Sequence, residues 1–205
     1  MRRRDARPTV AGMPRRSPID PEGFYHVGTR GVYGQTLWAN VVEHEVFLQM
    51  YVRVSVKYGW RTLAWALMKN HHHFVVHLTD GGLSEGMREL HGGYSRWRHE
   101  IYDQTGMGHL VRHAFFAREL TDDSGIIRAC VYVDLNPAAK RISCRPRRAD
   151  WCGYAATVGL GHPRQFHSPS LLLELLSAKP AEARTMYRRL VEEEHARRRS
   201  LRQTT

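Results

Sequence analysis

Residues 60–78 read Trp60-Arg61-Thr62-Leu63-Ala64-Trp65-Ala66-Leu67-Met68-Lys69-Asn70-His71-His72-His73-Phe74-Val75-Val76-His77-Leu78. Two runs rich in bulky apolar residues flank Lys69-Asn70, a pair short enough for a tight connection, so the stretch predicts a β-hairpin. Side chains alternate along a strand. His71 and His73 therefore share one face of the second strand, and His72 points to the other.

Working outward, Phe24-Tyr25-His26-Val27 followed by Thr29-Arg30-Gly31 has strand composition and a glycine stop. Between it and the hairpin, Phe47, Met50, Tyr51, Val54 and Tyr58 recur at helical spacing, with Gly59 where a C-terminal cap belongs. Downstream, Leu83, Met87, Leu90, Tyr94, Trp97 and Ile101 step by three or four, which predicts a long amphipathic helix over roughly 83–102. Phe115 to Leu120 reads as a fourth short strand, and Asp122/Asp123 are placed to start a helix running to Pro137. The order β-α-β-β-α-β followed by a helix is that of an α+β, ferredoxin-like antiparallel sheet with its helices on one face. The opposite face is then left to bind something. Further on, Ser168-Pro169 opens an apolar helix, and Pro180 leads a second that ends in Arg197-Arg198-Arg199. The expected organisation is a flexible basic arm over 1–22, one domain over 23–160 and a helical basic extension over 161–205.

Composition narrows the class of partner. With 205 residues, 42% hydrophobic and 25% charged, the chain has the make-up of a folded, water-exposed domain. Thirty-one Lys plus Arg against 20 Asp plus Glu leave a charge of +11, which points to a polyanion. Most of the cations are arginine, whose planar fork suits bidentate contact with phosphate. Cys130, Cys144 and Cys152 form no C-x-x-C pair and are odd in number, so a disulfide framework is not expected. No stretch approaches 18 consecutive apolar residues, and the arginine-rich start has no apolar region behind it. These features predict a cytoplasmic protein with no membrane contact.

Two segments could carry chemistry. His71 and His73, two imidazoles on one strand face, can bind one metal ion; the alternative is a hydrogen-bonded or solvent-facing histidine cluster. Tyr132 and Asn136 lie four apart on the last helix of the core, so their side chains leave the same helix face. A nucleophile and a ligand could be neighbours there, although a packed tyrosine and an asparagine stopping a helix before Pro137 would look the same.

Taken together, Asn70-His71-x-His73 in a strand and Tyr132-Val133-x-x-Asn136-Pro137 on a helix resemble the REP-associated tyrosine transposases, in the single-tyrosine branch of the HUH endonucleases and the IS200-like transposase family. Tyr25-His26-Val27, Thr29-Arg30-Gly31, Tyr58-Gly59-Trp60, Leu83-Ser84-x-Gly86-Met87, Gly108-His109-Leu110 and Trp151-x-x-Tyr154 match in the same order. The chain departs from the family at His72, where an aliphatic or aromatic residue is usual, and at Val111-Arg112-His113-Ala114.

The resemblance implies a single-strand DNA endonuclease and strand transferase. Tyr132 would be the nucleophile, giving a 5′-phosphotyrosine, and His71, His73 and Asn136 would hold a divalent cation, Mg2+ or Mn2+. The partner would be single-stranded or hairpin DNA. Arg30 at the end of the first strand is a candidate phosphate contact, as is the run Lys140, Arg141, Arg145, Arg147 and Arg148 beyond the active helix. The competing expectation is a non-catalytic single-stranded nucleic-acid-binding module, because ferredoxin-like sheets also stack bases on aromatic side chains.

Overall fold

The computed structural model describes residues 19–104, 106, 108–111, 115–139 and 151–203. β1 (Phe24–Arg30), α1 (Val41–Lys57), β2 (Arg61–Met68), β3 (His71–His77), α2 (Leu83–Ile101) and β4 (Phe116–Leu120) follow in the expected βαββαβ order. In space the strands run β2-β3-β1-β4, and each neighbouring pair is antiparallel. Met68 pairs with His71, so Lys69-Asn70 is indeed the tight connection of a hairpin.

Local chemistry sets the boundaries of α1. Asn40 caps it by accepting the Glu43 N–H, an amide left orphaned at the helix start, and the Glu43 carboxylate accepts the N–H of Ala39 just before the cap at 2.9 Å. Beyond the Tyr58 C-cap the chain turns at Gly59, whose φ of +64° is the left-handed conformation that glycine adopts without a side-chain clash.

Alternation along the strands then sorts the core into two halves. Val27, Trp65, Leu67, Phe74 and Val76 face α1 and α2, meeting Phe47, Tyr51, Val54, Met87, Leu90 and Tyr94. The Tyr51 ring stacks on Phe74 at 4.0 Å, and its buried hydroxyl pairs with that of Thr62 at 2.7 Å. Those two helices share one face of the sheet, as the element order predicts.

The opposite face is not left free. α3 (Asp123–Asp134) lies against β2, β3 and β4, with Ile126, Cys130 and Val133 buried beside Leu63, Ala64, Ala66 and Val75. Small side chains on β2 give a helix room to approach, and an amphipathic helix has to bury its apolar stripe somewhere. α5 (Tyr154–Thr157), α6 (Pro169–Glu174) and α7 (Pro180–Gln203) complete this layer, contributing Leu172, Leu173, Ala183, Tyr187 and Val191. The edge of β2 is covered too: Leu67 donates to the Trp151 carbonyl and Gly153 to the Trp65 carbonyl, each at 2.9 Å.

The helix expected to run to Pro137 stops earlier. α3 ends at Asp134, and α4 (Asn136–Ala139) begins after Leu135. Proline has no N–H to continue the ladder and crowds the preceding turn, which accounts for the interruption.

Candidate active site

The site begins with a missing side chain. A Cβ on Gly28 would sit 2.5 Å from the His72 carbonyl oxygen, 2.7 Å from Phe116 Cε1 and 2.9 Å from His73 Nδ1. Gly28 is opposite His73 on one side and Phe116 on the other. Only glycine lets the imidazole and the phenyl ring lie over β1.

Two residues earlier on the same face, His26 Nε2 is 3.1 Å from His73 Nδ1. His71 Nδ1 lies 2.8 Å from Asn70 Oδ1, and the Asn70 amide nitrogen donates to the Gly34 carbonyl at 3.1 Å. Because an amide oxygen can only accept, His71 carries a proton on Nδ1, and in the neutral ring that leaves Nε2 as the acceptor. The same state of His73, with Nδ1 donating to His26, would present its Nε2 likewise. Such partners fix the tautomer and orientation that a metal-binding imidazole needs. The two rings are 5.3 Å apart.

Tyr132 arrives from α3. Its ring meets those of His26 and His73 edge-on at 5.6 and 5.7 Å, while its side chain remains 41% exposed. Phe116 closes the far side, 4.9 Å from His26 and 5.7 Å from His73. Above the phenol, the Arg198 guanidinium of α7 is 5.3 Å from the ring centroid and is held by Glu194 at 2.7 Å. Beneath, the Tyr187 hydroxyl donates to the buried Asp134 carboxyl at 2.8 Å, tying α7 to α3. Burial pushes that carboxyl up to about 7.

Electrostatics favour uncharged imidazoles. Burial, together with the Arg118 charge, lowers His26 to about 4. Burial, reinforced by His26 and His71, lowers His73 to about 3. A neutral imidazole is the form that ligates a metal.

The sequence-derived residues are distributed unevenly. His71 and His73 share the strand face that alternation predicts, and the Tyr132 ring lies 5.7 Å from that of His73. Asn136 is buried one turn beyond Tyr132, and its amide donates to the Tyr132 carbonyl at 3.1 Å, which leaves its side-chain oxygen as an acceptor. No group of three His, Cys, Asp or Glu side chains suited to a metal occurs among the described residues. The imidazoles of His71 and His73 and the amide oxygen of Asn136 are donors of the kinds a divalent cation accepts. Arg30 is paired with His71 across the sheet, and its side chain is exposed at the rim. Lys140, Arg141, Arg145, Arg147 and Arg148 lie outside the described residues.

His26, Phe116 and Arg198 are the participants that sequence reasoning missed. For His26 a signal existed, since Phe24, His26 and Gly28 alternate onto one strand face. Nothing along the chain links Arg198 to a tyrosine 66 positions earlier.

His72 faces away from all of this. It is fully buried, with Nε2 2.9 Å from His91 Nε2 of α2, amid Phe47 and Trp38. No described helix is long and apolar enough to cross a membrane.

Among solved structures, the chain is similar to a REP-associated tyrosine transposase bound to a REP hairpin, with a TM-score of 0.62 and 13% identity, over 72% of this chain and 86% of that one. At that identity the likeness is one of fold. No curated protein matches the chain. The IS200-like transposase family matches residues 23–134, from the first strand through the helix of Tyr132. Since that match spans more than half of the 205 residues, the chain belongs to the IS200-like transposase family.

Proposed function

We propose that the chain is a metal-dependent single-strand DNA endonuclease and strand transferase that cleaves through a covalent bond to Tyr132. The observation that carries this reading is the half-exposed phenol of Tyr132 lying edge-on to His73 and His26. A nucleophile has to be both reachable by DNA and close to the groups that stabilise the phosphate.

In the proposed reaction the Tyr132 phenolic oxygen attacks phosphorus and loses its proton, and the bond from phosphorus to the 3′ oxygen breaks. The departing oxygen takes up a proton to become a 3′-hydroxyl, and the 5′-phosphate stays on the tyrosine. The covalent link conserves the ester, so another 3′-hydroxyl can reverse the step and join strands without ATP. His71, His73 and Asn136 would hold the divalent cation, Mg2+ or Mn2+, which when bound supplies charge stabilisation at the phosphoryl oxygens. His26 orients His73. Arg30 and the basic run 140–148 would contact the backbone of single-stranded or hairpin DNA. Residues 23–160 form the nuclease unit in this reading, and 161–205 are an extension that supports it.

The test is a 3′-labelled single-stranded oligonucleotide incubated with protein and Mg2+ or Mn2+ and run under denaturing conditions. Wild type is expected to retain the downstream fragment as a shifted band, and Tyr132→Phe to lose that band while binding DNA normally. Strong DNA binding with no cleavage by wild type would favour a non-catalytic binding module, and an adduct mapped to Tyr94 or Tyr154 would overturn the assignment.

A further inference from the structure

Between β1 and α1 the chain makes a short 3-10 turn, Val32–Gly34, with Tyr33 at its centre. Tyr33 is 100% exposed, more than any other large hydrophobic side chain described. Its φ of 53° and ψ of 18° place it in the left-handed region, which a bulky residue rarely occupies and which carries a steric penalty. Such strain persists only where the surroundings over-determine it, and an exposed aromatic gains nothing from folding that would offset it.

The surroundings do over-determine it. Gly31 donates to the Asn70 carbonyl at 2.9 Å, Val32 to the Leu110 carbonyl at 3.1 Å and Gly34 to Gly31 at 3.0 Å. The Gln35 side chain donates to the Leu110 carbonyl at 2.7 Å, and that of Asn70 to the Gly34 carbonyl at 3.1 Å. Asn70 is also the residue that orients His71, at 2.8 Å. One asparagine thus fixes both a proposed metal ligand and the turn that displays Tyr33. Arg30, the exposed cation paired with His71, immediately precedes that turn.

A rigidly mounted, fully exposed aromatic ring three residues after the exposed cation Arg30 has the chemistry of a platform for an unpaired base. We propose that Tyr33 stacks on a nucleobase of the single strand next to the scissile phosphate, holding the backbone in register with Tyr132. The proposal rests on the nuclease reading for its location but concerns base stacking, which is measured separately. A tyrosine loses little side-chain entropy on stacking, and stacking tolerates any base sequence.

The experiment compares a random-sequence single strand with an abasic strand of equal length, in wild type, Tyr33→Ala, Tyr33→Trp and Tyr33→Gly. The abasic strand presents the phosphates without the bases. Wild type is expected to bind the base-bearing strand about tenfold more tightly than the abasic one, on the scale of one stacked base. Tyr33→Ala should lose most of that preference, and Tyr33→Trp should keep it. Tyr33→Gly, which relieves the strained φ, should lose the preference with an unchanged or higher Tm. The proposal is overturned if Tyr33→Ala keeps the base preference, or if Tyr33→Trp fails to restore it, or if Tyr33→Gly melts lower than wild type. Formation of the Tyr132 adduct by wild type, scored in parallel, separates the two ideas. An intact adduct with no effect at Tyr33 removes only the stacking proposal, whereas a missing adduct removes the nuclease reading and leaves stacking to be judged by the binding data.

Discussion

The two faces of β3 carry the same side chain into opposite circumstances. His72 enters the layer beneath α1 and α2 and pairs with His91 where no solvent reaches. His71 and His73, one residue to either side, take the opposite face, where His73 meets His26, Phe116 and the exposed phenol of Tyr132. The imidazole is common to both, so its identity does not decide its role; what lies across from it does. A histidine sealed against another histidine serves the fold, and one beside an accessible tyrosine can serve chemistry.

The largest effect that would break this comparison is on cleavage. His73→Ala and His71→Ala are each expected to lower adduct formation by about a hundred- to a thousandfold, the loss expected when a group stabilising transition-state charge is removed. Both variants should remain folded by circular dichroism, and neither should be rescued by tenfold more metal. His72→Ala should behave in the reverse way. Removing a fully buried ring leaves a cavity and an unpaired His91, costing about 2–4 kcal/mol of stability. Its cleavage per folded molecule should stay near wild type. Equal loss of cleavage in all three variants, at a temperature where all are folded, would erase the distinction between the faces.

The contrast also measures what sequence alone conveyed. Alternation within Asn70-His71-His72-His73 assigns the faces correctly because a strand's period is fixed by its backbone. The fold class follows from element order for a similar reason: the Lys69-Asn70 connection and the helical stripes at 47–58 and 83–101 are local signals. The covering of the second sheet face was not legible. It depends on Ala64, Ala66 and Val75 meeting α3, a tertiary match between small and large side chains that no local period encodes. His26 escaped notice because its partner, His73, is 47 residues away and is reached only through the antiparallel pairing of β1 with β3.

A middle-sized effect sharpens the difference through pH. Burial lowers His91 to about 4 from an ordinary value of 6.5. The unfolded chain therefore binds the proton more readily than the folded one. The stability this group contributes is fully present above about pH 6.5 and is lost as pH falls through 4, with a linkage of about 3 kcal/mol. Urea unfolding of wild type is accordingly expected to weaken steadily from pH 7 to pH 4. A double variant, His72→Phe with His91→Leu, replaces both imidazoles at once and leaves no unpaired partner. It should show a shallower acid slope while keeping adduct formation at pH 7. An acid slope identical to that of wild type would mean that the sealed pair is not what protons attack.

The smallest expected effect concerns α7, the helix that reaches back over Tyr132. Arg198 sits over the Tyr132 ring at 5.3 Å and is braced by Glu194, whose carboxyl is held down at about 2 by its hydrogen bonds to Arg197 and Arg198. A guanidinium over an aromatic face at a partly exposed site is worth about 0.5–1 kcal/mol. Losing it should not abolish cleavage, but it releases one restraint on the rotamer that aims the phenol past His73. Arg198→Ala is thus expected to slow single-turnover adduct formation by about two- to fivefold, the rate equivalent of that energy. Arg198→Lys, which keeps the charge but not the planar stack, should fall between the two. Glu194→Gln should reproduce a weaker form of the same defect, because it loosens the arginine without removing it. A faster rate in Arg198→Ala would reverse the assignment, making α7 a cover over Tyr132 rather than its support. The distinction then passes from chemistry to access, and it would be read from whether short and long oligonucleotides gain equally.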